Sequence, residues 1–103
     1  MKSKDIKHVN VGEATSLLNS DTVTIVDIRD RQSFEIDHME NAHHVTKENA
    51  KYFIDKTNKE QPLLVYCYHG NSSQIAAEYF SENGFIQVYT LDGGFDIWRA
   101  KNS

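Results

Sequence analysis

Apolar positions along the chain fall into short continuous runs separated by segments with helical spacing. The clearest runs cover residues 23–28, 63–66 and 86–91, and a shorter one covers residues 42–45. The first run is nearly continuous in apolar, β-branched residues, which is typical of a strand buried on both faces of a parallel sheet. The pattern therefore predicts four strands.

The segments between these runs have the three-to-four-residue spacing of amphipathic helices. The first helix begins with a capping-box pattern, with Asn10 as N-cap and Glu13 three residues later, and ends near Ser20. The best-patterned helix covers residues 73–83, and Gly84 after it suits the left-handed conformation of a helix end. We expect four side chains of this helix to share its buried face: Ile75, Ala76, Tyr79 and Phe80.

Three further helices complete the pattern. Two are predicted over residues 33–37 and 47–55, and the last follows the turn at Asp92–Gly94, with Phe95 and Trp98 covering one end of the sheet. Strands and helices alternate, which predicts the α/β class with helices on both faces of the sheet. Because crossovers between parallel strands are right-handed in nearly all proteins, the strands at 63–66 and 86–91 should be parallel.

The length and composition limit the number of domains, the cellular compartment and the kinds of partner that we expect. The chain has 103 residues, 39% hydrophobic and 25% charged, and we expect one domain over residues 1–103 with its core at about 8–100. Residues 1–8 are polar and no apolar run approaches a membrane span, so we expect neither a secretion signal nor membrane association. A single cysteine agrees with a reducing compartment, and the cytoplasm is the expected location. The net charge of −4 argues against nucleic-acid binding.

The single cysteine, Cys67, stands where the strand at 63–66 passes into the loop before the best-patterned helix. Active sites of parallel α/β sheets lie beyond the carboxyl ends of the strands. A thiol reacts as the thiolate, and backbone N–H groups at a helix N-terminus favour an anion. If Gly70 takes a positive φ, the amides of residues 68–73 curl around the sulfur. The placement therefore predicts that Cys67 is a nucleophile.

The residues that follow Cys67 distinguish between several reactions that a thiolate can carry out. A dithiol oxidoreductase usually needs a second thiol three residues later, where Gly70 stands. A cysteine phosphatase needs an arginine six residues later, where Ser73 stands. A carrier of one sulfur atom needs neither, because its persulfide is an anion that requires only a ring of donors. A protease-type pair with a histidine remains open in principle: His38, His43, His44 or His69.

Four motifs then resemble the rhodanese family, in the order expected for it. The loop at residues 67–73, Cys-Tyr-His-Gly-Asn-Ser-Ser, is similar to that of the GlpE-type thiosulfate sulfurtransferases. Matching patterns lie at residues 26–30 (Val-Asp-Ile-Arg-Asp), at residues 34–38 (Phe-x-x-x-His) and at residues 91–98 (Leu-Asp-Gly-Gly-Phe-x-x-Trp). The resemblance covers about residues 8–100, and its four motifs are more specific than the cysteine alone.

The resemblance implies a single rhodanese domain with a five-stranded, mainly parallel sheet. It also implies a thiosulfate:cyanide sulfurtransferase in which Cys67 takes the outer sulfur of thiosulfate, releases sulfite and passes the sulfur to cyanide or a thiol, including a protein thiol. No cofactor and no metal are expected. Carried over position by position, Cys67 is catalytic and the persulfide-binding loop consists of Tyr68, His69, Gly70, Asn71, Ser72 and Ser73.

Other interpretations stand beside this one. The chain is alternatively a catalytically silent rhodanese-like module that binds a partner or senses oxidants. Asp27 and Arg29 are more typical of loop anchors than of catalytic residues. Many larger rhodaneses carry a basic residue in the loop that helps hold thiosulfate, whereas this loop offers His69 and serine hydroxyls, so we expect weak thiosulfate binding.

Overall fold

A computed structural model of the protein describes residues 6–20 and 22–102, and the remainder of the predicted 1–103 domain lies outside these ranges. Five strands alternate with five helices along this part of the chain. They are β1 (Ile6–Val9), α1 (Val11–Ser20), β2 (Thr24–Asp27), α2 (Arg31–Ile36), β3 (His43–His44), α3 (Ala50–Lys56), β4 (Leu63–Tyr66), α4 (Ser72–Glu82), β5 (Val88–Leu91) and α5 (Gly94–Asn102). Among the described helices, none has the length and apolar character needed to cross a bilayer.

The strands form one sheet in the order β1-β5-β4-β2-β3, and every adjacent pair is parallel. The α/β class and the five-stranded sheet are therefore confirmed. β4 lies at the centre, and its last residue, Tyr66, is in register with Asp27 at the end of β2. Because all strands run the same way, the segments that leave their carboxyl ends meet along one edge, and Cys67 lies there.

Each face of the sheet carries its own apolar cluster. On one face, α3 and α4 cover a cluster that includes Phe53, Phe80 and Phe85, whose rings lie 5.8–6.3 Å apart. On the other face, α1 and α5 cover a cluster in which Phe95 stacks on Tyr66 at 5.7 Å. Burying a side chain of this size contributes about 1.5–3 kcal/mol. Because both faces of the sheet are packed, the inner strands appear in the sequence as continuous runs of apolar residues.

The capping box at the start of α1 is confirmed. The Asn10 amide donates to Glu13 Oε1 (2.9 Å), and the Glu13 amide donates to Asn10 Oδ1 (2.8 Å). β4 has the predicted bounds, whereas α2 begins earlier than expected, since Asp30 is its N-cap and accepts from the Ser33 amide (3.0 Å). The predicted strand at residues 86–91 is shorter and begins at Val88, since the Ile86 amide donates to the Lys59 carbonyl (3.2 Å) and not to a neighbouring strand.

The predicted buried face of α4 is wrong in two positions. Ser73, Ala77 and Phe80 are buried, whereas Ile75 is 73% exposed and Tyr79 is 45% exposed. The Ser73 hydroxyl bonds to the Thr90 hydroxyl of β5 at 2.6 Å, so a polar residue is part of the helix face that packs on the sheet. A count of apolar spacing does not detect such a contact.

β1 was not predicted. Its two central residues, Lys7 and His8, are exposed, and only Ile6 and Val9 turn toward apolar clusters. The strand pairs with β5 alone and forms one edge of the sheet. An edge strand of four residues with two polar side chains leaves too weak an alternation to identify from the sequence.

Candidate active site around Cys67

The Cys67 sulfur lies inside a tight loop between β4 and α4. The Gly70 amide donates to Sγ at 3.2 Å and the Ser73 amide at 3.3 Å. Gly70 has a φ of +95°, the left-handed conformation that an inward-curled loop needs. The loop thus brings two backbone donors to one sulfur atom, and the cysteine is only 6% exposed.

This environment favours the thiolate. Burial by itself raises the pKa of the Cys67 thiol. Hydrogen bonds from the Ser73 side chain and amide, and from the amides of Gly70 and His69, outweigh the burial, so the pKa of Cys67 is lowered. A helix N-terminus adds only about 0.3–1 kcal/mol. The direct donors therefore supply most of the stabilisation of the anion.

The N-terminus of α5 donates hydrogen bonds to carbonyl groups of the loop. The Phe95 amide donates to the Cys67 carbonyl (2.8 Å), and the Asp96 amide donates to the Tyr68 carbonyl (3.2 Å). Gly94 has a φ of +64°, and a Cβ there would lie 2.4 Å from the Tyr68 carbonyl oxygen. This close approach explains the glycine turn before α5. With the carbonyls held by α5, the loop amides are left to face the sulfur.

Two loop side chains point away from the sulfur. The Tyr68 hydroxyl donates to Asp30 Oδ1 at 2.5 Å and also bonds to the Ser33 hydroxyl. These contacts with Tyr68 and Ser33 lower the pKa of Asp30 to about 2. His69 is exposed, and its Nδ1 lies 2.9 Å from Asp96 Oδ2. Tyr68 is therefore tied to the start of α2 and His69 to α5.

The remaining loop positions form the beginning of α4. Asn71 precedes the helix without a side-chain cap bond, and Ser72 is exposed beside it. A residue that sequence reasoning missed, Gln74, donates from Nε2 to the Gly70 carbonyl at 2.8 Å. The four-residue separation of these two positions would have allowed such a contact once the helix start was known.

Asp27 and Arg29 form a buried ion pair next to the loop. The Arg29 guanidinium donates to Asp27 Oδ2 (2.7 Å) and to the Asp37 carbonyl (2.6 Å), and it lies 4.2 Å from the centre of the Phe95 ring. Burial lowers the pKa of Arg29, but the hydrogen bonds and charge of Asp27 outweigh it, so the pKa is raised. The pair joins β2, α2 and α5, which is the anchoring role expected from the sequence.

Two of the histidines considered as a base for Cys67 hydrogen-bond to backbone carbonyls elsewhere. His38 Nδ1 donates to the Phe34 carbonyl (2.6 Å), and His44 Nε2 donates to the Arg29 carbonyl (2.5 Å). Within residues 6–20 and 22–102, no group of three His, Cys, Asp or Glu side chains is arranged to hold a metal ion. The hydrogen bonds to the Cys67 sulfur in this part of the chain come from the amides of Gly70 and Ser73, not from a histidine ring.

Known proteins resemble this chain in sequence and in fold. The rhodanese-like domain family matches residues 10–101. A thiosulfate sulfurtransferase GlpE of Shewanella oneidensis is 44% identical over 97 residues, which are 94% of this chain and 96% of the relative. One from Vibrio cholerae is 43% identical over 95 residues, which are 92% of this chain and 90% of the relative.

A solved structure agrees with these sequence matches. The crystal structure of a rhodanese-like domain protein from Staphylococcus aureus superposes with a TM-score of 0.77 at 27% identity, covering 89% of this chain and 90% of that one. The family resemblance drawn from four short motifs is thus confirmed over nearly the whole length. This chain belongs to the rhodanese-like domain family.

Proposed function

We propose that this protein is a thiosulfate sulfurtransferase that carries one sulfur atom as a persulfide on Cys67. The observation that carries the proposal is the pair of amides that donate to Sγ, from Gly70 and Ser73. Donors in these positions stabilise an anion without a second thiol or an arginine. The curated relatives named thiosulfate sulfurtransferase support the same reaction.

In the first half-reaction, the Cys67 thiolate attacks the outer sulfur of thiosulfate. A new S–S bond forms to Sγ, the bond between the two sulfur atoms of thiosulfate breaks, and its electron pair leaves with sulfite. The charge of −1 on the thiolate becomes a charge of −1 on the terminal sulfur of the persulfide. The loop amides face this anion both before and after the transfer, so little reorganisation is needed.

In the second half-reaction, an acceptor takes the terminal sulfur. Cyanide carbon or a thiolate attacks that atom, the S–S bond to Cys67 breaks, and its electron pair returns to Sγ. The products are thiocyanate or the acceptor persulfide, together with the original thiolate. No cofactor takes part in either step.

Intact mass spectrometry tests the proposal directly. After incubation with thiosulfate, the protein should gain the mass of one sulfur atom, and cyanide should remove it with formation of thiocyanate. An unchanged mass in the wild-type protein would refute the proposal. A silent or oxidant-sensing module is distinguished by the same spectrum, since peroxide adds oxygen to a sensing thiol whereas thiosulfate leaves its mass unchanged.

We expect Gly70→Val to slow sulfur loading by about a hundredfold, the usual effect of losing one donor to a developing anion. A β-branched residue rarely adopts a φ of +95°, and its Cβ would lie 2.9 Å from the Gly93 nitrogen, so the loop must open. Gly84→Val is the matched control, because Gly84 has a φ of +107° at the far end of α4. Near-normal loading by Gly70→Val, measured as mass gain against time, would contradict the inward-facing amides.

The pH dependence of loading should reflect the lowered pKa of Cys67. The rate rises with pH as the thiolate forms and levels off above the pKa, so a lowered pKa brings the plateau to lower pH. Ser73→Ala removes a hydroxyl that favours the anion, and its plateau should therefore move to higher pH. Ser72→Ala, which changes an exposed neighbour, should leave the profile in place. Superimposable profiles for the wild type and Ser73→Ala would contradict this role of the hydroxyl.

A further inference from the structure

An open cavity with a volume of about 500 Å³ lies on the face of the sheet that α1 and α5 cover. Its walls come from the ends of these two helices, from the start of β2 and from the segment between α2 and β3. The apolar part of the wall includes Leu18, Ile25, Met39 and Trp98. A volume in the range of about 300–1,000 Å³ with such a lining is typical of sites for small organic molecules.

The cavity is remote from the reactive sulfur. Val23 and Asn41, which line it, precede β2 and β3, whereas Cys67 follows the carboxyl end of β4. β2 has four residues at about 3.3 Å each, so the cavity begins about 13 Å from the edge at which Cys67 lies. None of residues 67–73 is among the described residues that line it. The site around Cys67 therefore does not account for this cavity.

The polar part of the wall offers acceptor oxygens and one negative charge. Glu40 is the single charged residue among the described residues that line the cavity. The exposed side chains of Asn19, Glu40 and Asn41 bond to no other described residue, so their oxygens can turn toward a ligand. The Thr15 hydroxyl donates to the Val11 carbonyl (2.8 Å), which leaves its own oxygen able to accept. This lining suits a donor that carries a positive charge.

Two further features of the wall favour a cation. The face of a tryptophan ring attracts cations more strongly than any other side-chain ring, and Trp98 is half-buried at the cavity. The carboxyl end of α1 carries a partial negative charge, and its last turn contains no basic residue. The basic residues in the last turn of α5, Arg99 and Lys101, do not line the cavity.

The wall between α2 and β3 is fixed by bonds of its own. The Met39 amide donates to the Tyr66 hydroxyl (3.0 Å), and the Ala42 amide donates to the Met39 carbonyl (3.0 Å). Asn41 takes a φ of +70°, the left-handed conformation that this tight segment requires. A wall that is already ordered lowers the entropy cost of binding a ligand.

We propose that this cavity binds a primary alkylammonium ion. The ammonium group donates to the Glu40 carboxylate and to the amide oxygen of neighbouring Asn41. The alkyl body lies along Leu18, Met39 and the ring of Trp98. The chemistry at Cys67 has no part in this binding.

Fluorescence tests the proposal directly, because Trp98 is the only tryptophan of the chain. The full-length protein is titrated with hexylammonium, hexanol and hexanoate, which share one alkyl chain and differ in charge. Hexylammonium should give a saturable change with a Kd at least about tenfold below that of hexanol, because hydrogen bonds between charged groups are the stronger ones. Equal Kd values for these two, tighter binding of hexanoate, or no saturable change would overturn the proposal.

The length and number of charges of the amine test the shape of the site. From propylammonium to hexylammonium, the Kd should fall by up to about fourfold per methylene until the cavity is filled. Hexane-1,6-diamine should bind more weakly than hexylammonium, because its second ammonium would lie against the apolar wall. Tighter binding of the diamine would show attraction to the overall charge of −4 and would overturn the proposed site.

Paired variants assign the charge preference to one carboxylate. Glu40→Gln should raise the Kd of hexylammonium at least about tenfold and leave that of hexanol unchanged. Glu48→Gln, at an exposed glutamate outside the cavity, should change neither value. An unchanged Kd of hexylammonium in Glu40→Gln would overturn the proposal. None of these titrations uses thiosulfate, so their failure would leave the proposed sulfur transfer standing.

Discussion

Cys67→Ser is expected to abolish sulfur loading while leaving the fold intact. The oxygen of serine is a far weaker nucleophile than a thiolate at neutral pH, because its proton is not lost there. The Gly70 and Ser73 amides that faced the sulfur remain able to donate to a hydroxyl. After incubation with thiosulfate, the variant should keep its starting mass and produce no thiocyanate with cyanide.

The fold of this variant is checked by circular dichroism and by urea unfolding. Serine is close to cysteine in size, so a loss of more than about 1–2 kcal/mol would indicate that the thiol acts mainly as a packed core group. A mass gain of one sulfur atom in Cys67→Ser would contradict the proposed function outright, since Cys67 is the only cysteine of the chain.

Arg29→Met should lower the free energy of unfolding by about 3–5 kcal/mol, the usual effect of removing one partner of a buried ion pair. Asp27 is 0% exposed and bonds to the guanidinium through both of its oxygens. Without Arg29, the carboxylate would be left buried and unpaired, and the contact with the Phe95 ring would also be lost. Urea unfolding followed by circular dichroism measures the difference.

Arg31→Met is the matched control. Arg31 lies two residues away, but it is exposed and forms a surface pair with Glu35 at 3.7 Å. Pairs of this kind contribute about 0–1 kcal/mol. In the double variant Asp27→Asn/Arg29→Met, part of the lost stability should return, because no buried charge remains. Equal stability of Arg29→Met and Arg31→Met would contradict the anchoring role.

Much of the fold was predictable because its main signals are local. The capping box of Asn10 and Glu13 depends on residues three positions apart, and β4 was recognised from four consecutive apolar residues. The α/β alternation follows from these signals taken together. β1 escaped detection because its inward residues, Ile6 and Val9, are separated by exposed polar ones.

The site was only partly predictable, because some of its contacts join residues that are far apart in the sequence. The position of Cys67 at a strand end and the positive φ of Gly70 follow from local sequence, and the structure shows both. The bond between the hydroxyls of Ser73 and Thr90 joins residues 17 positions apart, and no local sequence pattern predicts it. Ser73 is buried against β5 through this contact, whereas Ile75, two positions later, is 73% exposed.

The order of the strands has a consequence for how this protein tolerates change. β2 leads to α2 and to the arginine that contacts α5 on one face, whereas neighbouring β4 leads to α4 on the opposite face. Because these two connections leave adjacent strands toward opposite faces of the sheet, a crevice lies between them. The crevice follows from the strand order and requires no gap in the packing of the core. Exposed loop positions such as Asn71 and Ser72 are therefore free to vary in sequence, and thus to alter which molecules reach the sulfur, at little cost to the folded state.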